Sequence, residues 1–199
     1  KKRVGCELEA IANLGCLIHC PLRDYHSNFI SHASDSLARG CYLDYSLAKC
    51  TQIKSLSPIE VMKAPWIRPE DLTRYERIGI THFKLGGREK GGAWVLRAVA
   101  AYAGRTYSGA LNDLVIGLDG LDPFGEFPVH LNNGRLDGFL DFFTKKDCRL
   151  GCQGCTHCQE WLDRAGSVDG DVQVYGKKID RLLRRFTSGS FKAPLVRVS

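Results

Sequence analysis

The sequence predicts an α/β protein built from βα units around a parallel sheet. Two observations carry this. The order helix, strand, glycine-rich loop, helix runs through residues 70–102, and that order marks βα units. A further strand reads at the start of the chain, where Cys6, Leu8 and Ala10 alternate with Glu7 and Glu9 over Val4–Ile11. Two acids on one strand face suit a barrel mouth or a solvated edge.

The other elements follow in chain order. Asn13–Gly15 is turn-like. Cys16–His32 begins as a loop, with Pro21 compatible with a first helical turn. His32–Arg39 is polar and loop-like, and Cys41–Ile53 reads as a strand followed by a short element. Pro65 and Pro69 fix an extended approach to a helix that opens on Glu70 and Asp71. That helix runs to Ile78 and ends at Gly79. Ile80–Leu85 is the next strand, and residues 86–92 form the glycine loop. Ala93–Tyr102 is a helix with Trp94, Leu96, Val99 and Tyr102 at its apolar positions. Thr106–Asn133 is irregular. Leu136–Phe143 and Cys158–Ala165 are short helices, and Gly166–Gly176 is a linker. Lys177–Phe186 is a basic amphipathic helix with Ile179, Leu182, Leu183 and Phe186 on one face.

Composition narrows the function classes. No apolar run reaches the roughly 18–20 residues that span a bilayer. Lys1, Lys2 and Arg3 precede no apolar segment, so they do not form a signal peptide. The chain opens on Lys1 and runs directly into a strand, which predicts a missing N-terminal partner sequence. The net charge of +6 resides in the tail. From Tyr175 onward seven basic residues face one acid, and the preceding residues balance. A basic tail can hold RNA by counterion release, or it can simply be a solvated terminal helix.

Nine cysteines, an odd number, argue against a complete disulfide framework. Their spacing points to metal–thiolate chemistry in a reducing compartment, which places the protein in the cytoplasm. Cys16-x3-Cys20 could share one metal or two corners of a cluster. Cys41 and Cys50 must return to them by folding. Cys148-x3-Cys152-x2-Cys155-x2-Cys158 brings four thiols into eleven residues. Thiolates are the soft anionic ligands that zinc and iron–sulfur clusters require. The plain alternative is buried, inert cysteine, and Cys6 reads that way. Zinc is the alternative to a cluster at Cys148–Cys158. Lys84, Arg88 and Glu89 lie on the strand and glycine loop, where backbone N–H groups and a guanidinium can bind an anion. A surface turn with an ion pair fits them equally. Arg23, His26 and His32 follow Cys20, and His26 suits a general acid/base, a ligand or a structural role.

Several segments together resemble the collagenase-like peptidase family of unknown catalytic type. They are Asn13-Leu14-Gly15-Cys16-x3-Cys20-Pro21-Leu22-Arg23-x2-His26, Trp66-Ile67-Arg68-Pro69-Glu70-Asp71-Leu72, and Gly79 through Phe83-Lys84-x2-Gly87-Arg88-Glu89. Leu136-Asp137-Gly138-Phe139 and the following cysteines resemble the end of one branch. The resemblance implies the C-terminal βα units of a TIM-like barrel over 1–145, then a cysteine-rich segment over 146–165. A linker and basic tail occupy 166–199. It also implies a 4Fe–4S cluster, with Cys16, Cys20 and Cys50 where ligands are expected and Cys41 assigned as the fourth. Family members studied as redox enzymes hydroxylate RNA bases or ubiquinone precursors, and others are described as collagen-degrading peptidases. An electron-donor protein and the N-terminal half of the barrel are the implied partners. On this basis Arg23 and His26 support the cluster site, while Lys84, Arg88 and Glu89 shape the substrate mouth. Peptidase activity and a metal-stabilised binding module are the competing functions.

Overall fold

The structure is a computed structural model describing residues 5–35, 45–88, 90–118, 125–146, 148 and 151–188. Cys41, Glu89, Lys192 and Arg197 lie outside the described residues, as does the side chain of His32.

The first strand, β1 (Glu9–Ile11), is shorter than the alternation predicts. It pairs in parallel with β2 (His82–Lys84) in the register Glu9↔His82, Ala10↔Phe83 and Ile11↔Lys84. The chain beyond β1 runs parallel to a third segment through the Leu14↔Ile116 bridge. A parallel pair needs a crossover, and α5 (Gly92–Gly104) supplies the one between β2 and Ile116. Between β1 and β2 lie α1 (Arg23–Asp35), α2 (Tyr45–Leu56), α3 (Ile59–Met62) and α4 (Leu72–Arg77). A second sheet pairs β3 (Val129–Leu131) with β4 (Gly166–Val168) antiparallel. Helices α6 (His157–Ala165) and α7 (Val172–Thr187) are the last of the described α-helices.

Several elements differ from the sequence reading. Residues 45–56 form α2, where Cys41–Ile53 reads as a strand followed by a short element, and 41–44 lie outside the described residues. The buried face of α2 is small and polar (Ser46, Ala48, Thr51, Gln52 and Ser55), so no apolar stripe marks it as helical. Residues 32–35 continue α1, where a loop was expected. In α5 the buried positions are Ala98, Ala101 and Tyr102, while Leu96 is 70% exposed and Val99 48% exposed. Of the four predicted apolar positions, Tyr102 is buried and Trp94 packs against the core, while Leu96 and Val99 face outward. Residues 136–143 form two 3-10 turns, Asn133–Leu136 and Phe139–Thr144, in place of one α-helix. The expected linker at 166–176 carries β4 and the start of α7.

Two cores result. The smaller joins Ala12, Ile67, Leu72 and Leu114 to the buried face of α5. The Tyr102 hydroxyl donates to the Ile67 carbonyl at 2.8 Å, locking α5 to the extended segment before α4. The larger core gathers α2, α3, β3, α6 and α7 around Phe127, Val129, Leu131, Leu136 and Ile179. Arg68 joins the two. It is buried, lies 3.2 Å from Asp71, and donates to the Asn133 carbonyl at 3.2 Å. Glu70 beside it accepts from the Tyr107 N–H at 2.7 Å and the Asn133 amide at 2.8 Å. The Arg68-Pro69-Glu70-Asp71 segment is therefore a structural bracket as well as a helix start.

Candidate functional site

The first cysteine group forms where parallel segments end, the place where α/β sheets build their sites. Asn13 follows β1 and is fully buried. Its amide donates to the carbonyls of Gly86 at 2.9 Å and Leu114 at 3.1 Å, and its Oδ1 accepts from the Gly86 N–H at 2.8 Å. One side chain thus fixes the glycine loop after β2 to the turn after β1. Gly15 then passes so close to Ile116 that an added Cβ would lie 2.7 Å from the Ile116 carbonyl oxygen. Cys16 emerges directly from this contact.

The loop from Cys16 to Cys20 is closed by Arg23. Its guanidinium donates to the carbonyls of Leu17 at 3.0 Å and Ile18 at 3.2 Å. Arg23 therefore acts on the loop that carries the cysteines. His26 stands one turn further along α1, half-buried. Cys50 arrives from α2. Burial pushes the Cys16 thiol up, the Cys50 thiol adds to that, and Lys54 and Arg23 pull it down against a smaller push from Cys20. Cys16, Cys20 and Cys50 are thus neighbours, although they come from a loop and a helix far apart in sequence. The role of Cys41 falls outside the described residues.

The predicted substrate-side residues lie on β2 and its loop. Lys84 and Arg88 are exposed. No hydrogen bond or ion pair among the described residues joins them to the thiols. Gly87 between them has φ +109°, and an added Cβ would meet the Trp94 ring at 2.3 Å. The loop holds this path only with glycine there. Glu89 lies outside the described residues.

The second cysteine group precedes and opens α6. Two tight turns build it: the Gly151 N–H donates to the Cys148 carbonyl, and the Cys155 N–H to the Cys152 carbonyl, both at 3.1 Å. Cys158 sits in the first turn of α6 and packs against the larger core. Burial, followed by the thiols of Cys148, Cys152 and Cys155, pushes Cys158 up to about 11, with Lys63 opposing. A buried thiol whose ionisation is opposed by three neighbouring thiols belongs to a donor set suited to a soft cation. An aromatic box backs them. His157 stacks on Phe142 with ring centroids 4.1 Å apart, and its Nε2 is 3.1 Å from the Phe139 carbonyl oxygen. The sequence reading missed this box, although Phe139, Phe142, Phe143, His157 and Trp161 crowd around the cysteine run.

In donor chemistry both groups fit a metal–thiolate centre. As placed, no three His, Cys, Asp or Glu side chains among the described residues converge closely enough to share one ion. The two groups are neighbourhoods of thiols, not closed cages. The sequence reading also missed Lys54, a buried lysine beside the first group. Its position in a helix with no apolar stripe gave no signal.

Fold and site together define an α/β protein with two cysteine groups, one at the ends of parallel segments. The chain is 32% identical over 168 residues, 84% of its length, to a protein of Methanocaldococcus jannaschii named an uncharacterized protease. The likeness fits a protease-like family. The aligned part is 48% of that protein, so the chain spans about half the length of the curated relative it matches. No family model matches the chain, and no solved structure does. No helix among the described residues is long and apolar enough to cross a membrane.

Proposed function

We propose that this chain is the C-terminal, barrel-forming part of a cytoplasmic iron–sulfur enzyme of the collagenase-like peptidase family, acting in redox or hydroxylation chemistry on RNA or a quinone precursor. What supports the reading is that Cys20 and Cys50 both act on the Cys16 thiol, in a region beyond the ends of parallel segments. Those three, with Cys41, are the proposed ligands of a 4Fe–4S cluster, which would supply one-electron transfer. Arg23 fixes the ligand loop. Lys84, Arg88 and Glu89 form the substrate mouth, and His26 supports the site from α1. Cys148, Cys152, Cys155 and Cys158 hold a second centre, of zinc or iron. The exposed basic face of α7 is a surface for RNA, and an electron-donor protein completes the system.

A peptidase is the second reading, favoured by the name of the methanogen relative. Metal analysis separates the two. The full-length protein, purified without oxygen, should hold about four irons and four sulfides at the first group, with a broad absorption band near ~400 nm. Cys16→Ser should abolish that iron. Arg88→Ala should keep the colour and lose turnover. Zinc alone, or no metal, would overturn the cluster and make proteolysis the next assay.

A further inference from the structure

Lys54 sits in the last turn of α2 and is only 1% exposed. Its ammonium donates to the Gly15 carbonyl at 3.2 Å and makes a short hydrogen bond to the Gly117 carbonyl. The Phe127 ring lies 5.8 Å away. Among the described residues no carboxylate pairs with it. Burying an ammonium is costly unless an opposite charge compensates. Carbonyls and a ring face supply dipoles, not a negative charge.

Among the described residues, a negative charge near Lys54 has one candidate source. Gly15, whose carbonyl Lys54 holds, is the residue before Cys16. Cys50 precedes Lys54 by four residues on α2, so the two share one helix face. Lys54 thus acts on the Cys16 thiol from behind and lies on the α2 face that carries Cys50. Arg23, the other cation there, is on the surface, where water screens it. A dry charge acts far more strongly on its neighbours than a solvated one. Among the described residues the second group has no such cation: Lys63 is partly exposed and already paired to Glu60 at 2.7 Å.

We infer that Lys54 is the fixed counter-charge of the Cys16–Cys20–Cys50 thiolate site, a positioning residue that lets this half-buried site carry negative charge. The inference rests on the reading that the group takes a thiophilic metal. A centre held by several thiolates is a net anion even when loaded, and a dry cation behind a half-buried anion stabilises it more than a solvated one does. The alternative role is a neutral one, a clamp between the Gly15 and Gly117 carbonyls.

Cobalt(II) is the probe. The reduced, metal-free, full-length protein is titrated without oxygen, and thiolate-to-cobalt absorption is followed. The part of that absorption lost in Cys20→Ser belongs to the first group. Lys54→Gln retains a donor for the glycine carbonyls but removes the charge. It should weaken cobalt binding at the first group about 10- to 100-fold, the range for groups that support metal ligands. Lys54→Arg retains the charge and should recover most of the loss. Equal binding by wild type and Lys54→Gln would overturn the inference and leave the metal site standing. No Cys20-dependent absorption in the wild type would overturn the metal reading itself, and the inference with it. A second measurement needs no variant: zinc added to the wild-type protein should shift the Lys54 side-chain nitrogen resonance. An unmoved resonance under saturating zinc, with the Cys20-dependent site filled, would also overturn the inference.

Discussion

Asn13 ties together three backbone groups from two other segments with a fully buried side chain. Asn13→Ala would leave the Gly86 N–H, the Gly86 carbonyl and the Leu114 carbonyl without these partners. Unsatisfied buried groups cost about 1–3 kcal/mol each, partly relieved by relaxation, so a loss on the order of 3 kcal/mol is expected in urea unfolding. A loss under about 1 kcal/mol would show that other groups take over these bonds. Glu76 offers a residue-scale pH test. Hydrogen bonding from Arg105, at 2.7 and 2.9 Å, holds its carboxyl below the usual range. A lowered carboxylate value means the folded state releases its proton more readily than the unfolded one. The clamp's contribution is therefore present above the ordinary carboxylate value and is lost as pH falls through the lower folded value. Glu76→Gln should flatten that part of the acid limb of a stability–pH curve. An unchanged acid limb would show that the pair contributes nothing measurable, as many exposed pairs do.

Helix α7 shows what an amphipathic pattern can and cannot reveal. Its apolar residues recur at helical spacing, so the helix and its buried side were legible from Ile179, Leu182 and Leu183. Its start was not, because Asp171 and Val172 fall in a stretch rich in glycine and aspartate. The Asp171 carboxylate accepts from the N–H groups of Gln173 at 2.8 Å and Val174 at 3.0 Å, a helix cap built from a turn-forming residue. The partner of α7 was also hidden. It packs along α2, whose contact face offers Ala48, Thr51, Gln52 and Ser55 in place of an apolar stripe. Such a helix is specified by its neighbour, not by its own periodicity. At this scale Ile179→Ala, with Ile179 fully buried, should cost about 2–5 kcal/mol. Arg181→Glu on the exposed side should change stability by no more than about 0.5 kcal/mol. If the exposed side is the RNA surface, the same Arg181→Glu protein should bind a generic single-stranded RNA more weakly with a shallower salt dependence. Unaltered RNA binding would remove α7 from that role.

Across the whole molecule, spacing made the thiols visible and folding decided which of them meet. Cys16-x3-Cys20 and the run from Cys148 to Cys158 announce themselves locally. That Cys50 joins the first pair depends on α2 reaching back to the end of β1, which no local pattern encodes. The second group is local, yet its chemistry is set by the larger core, which half-buries Cys158 and raises its thiol to about 11. That shift gives a test of what the group is for. In metal-free protein the folded state retains the Cys158 proton while the unfolded chain ionises first. Stability should then fall as pH rises from the ordinary thiol value of 9.0 through about 11. In metal-loaded protein the thiols are already deprotonated, so that alkaline slope should vanish, and a chelator should restore it. Urea midpoints across that range, with and without zinc, measure both arms. A slope that persists with zinc bound would show that the metal does not sit on Cys158. A slope absent from both forms would show that the core does not bury this thiol in solution. Only the combination of a slope without metal and none with it supports a second centre anchored to the α6 end of the fold.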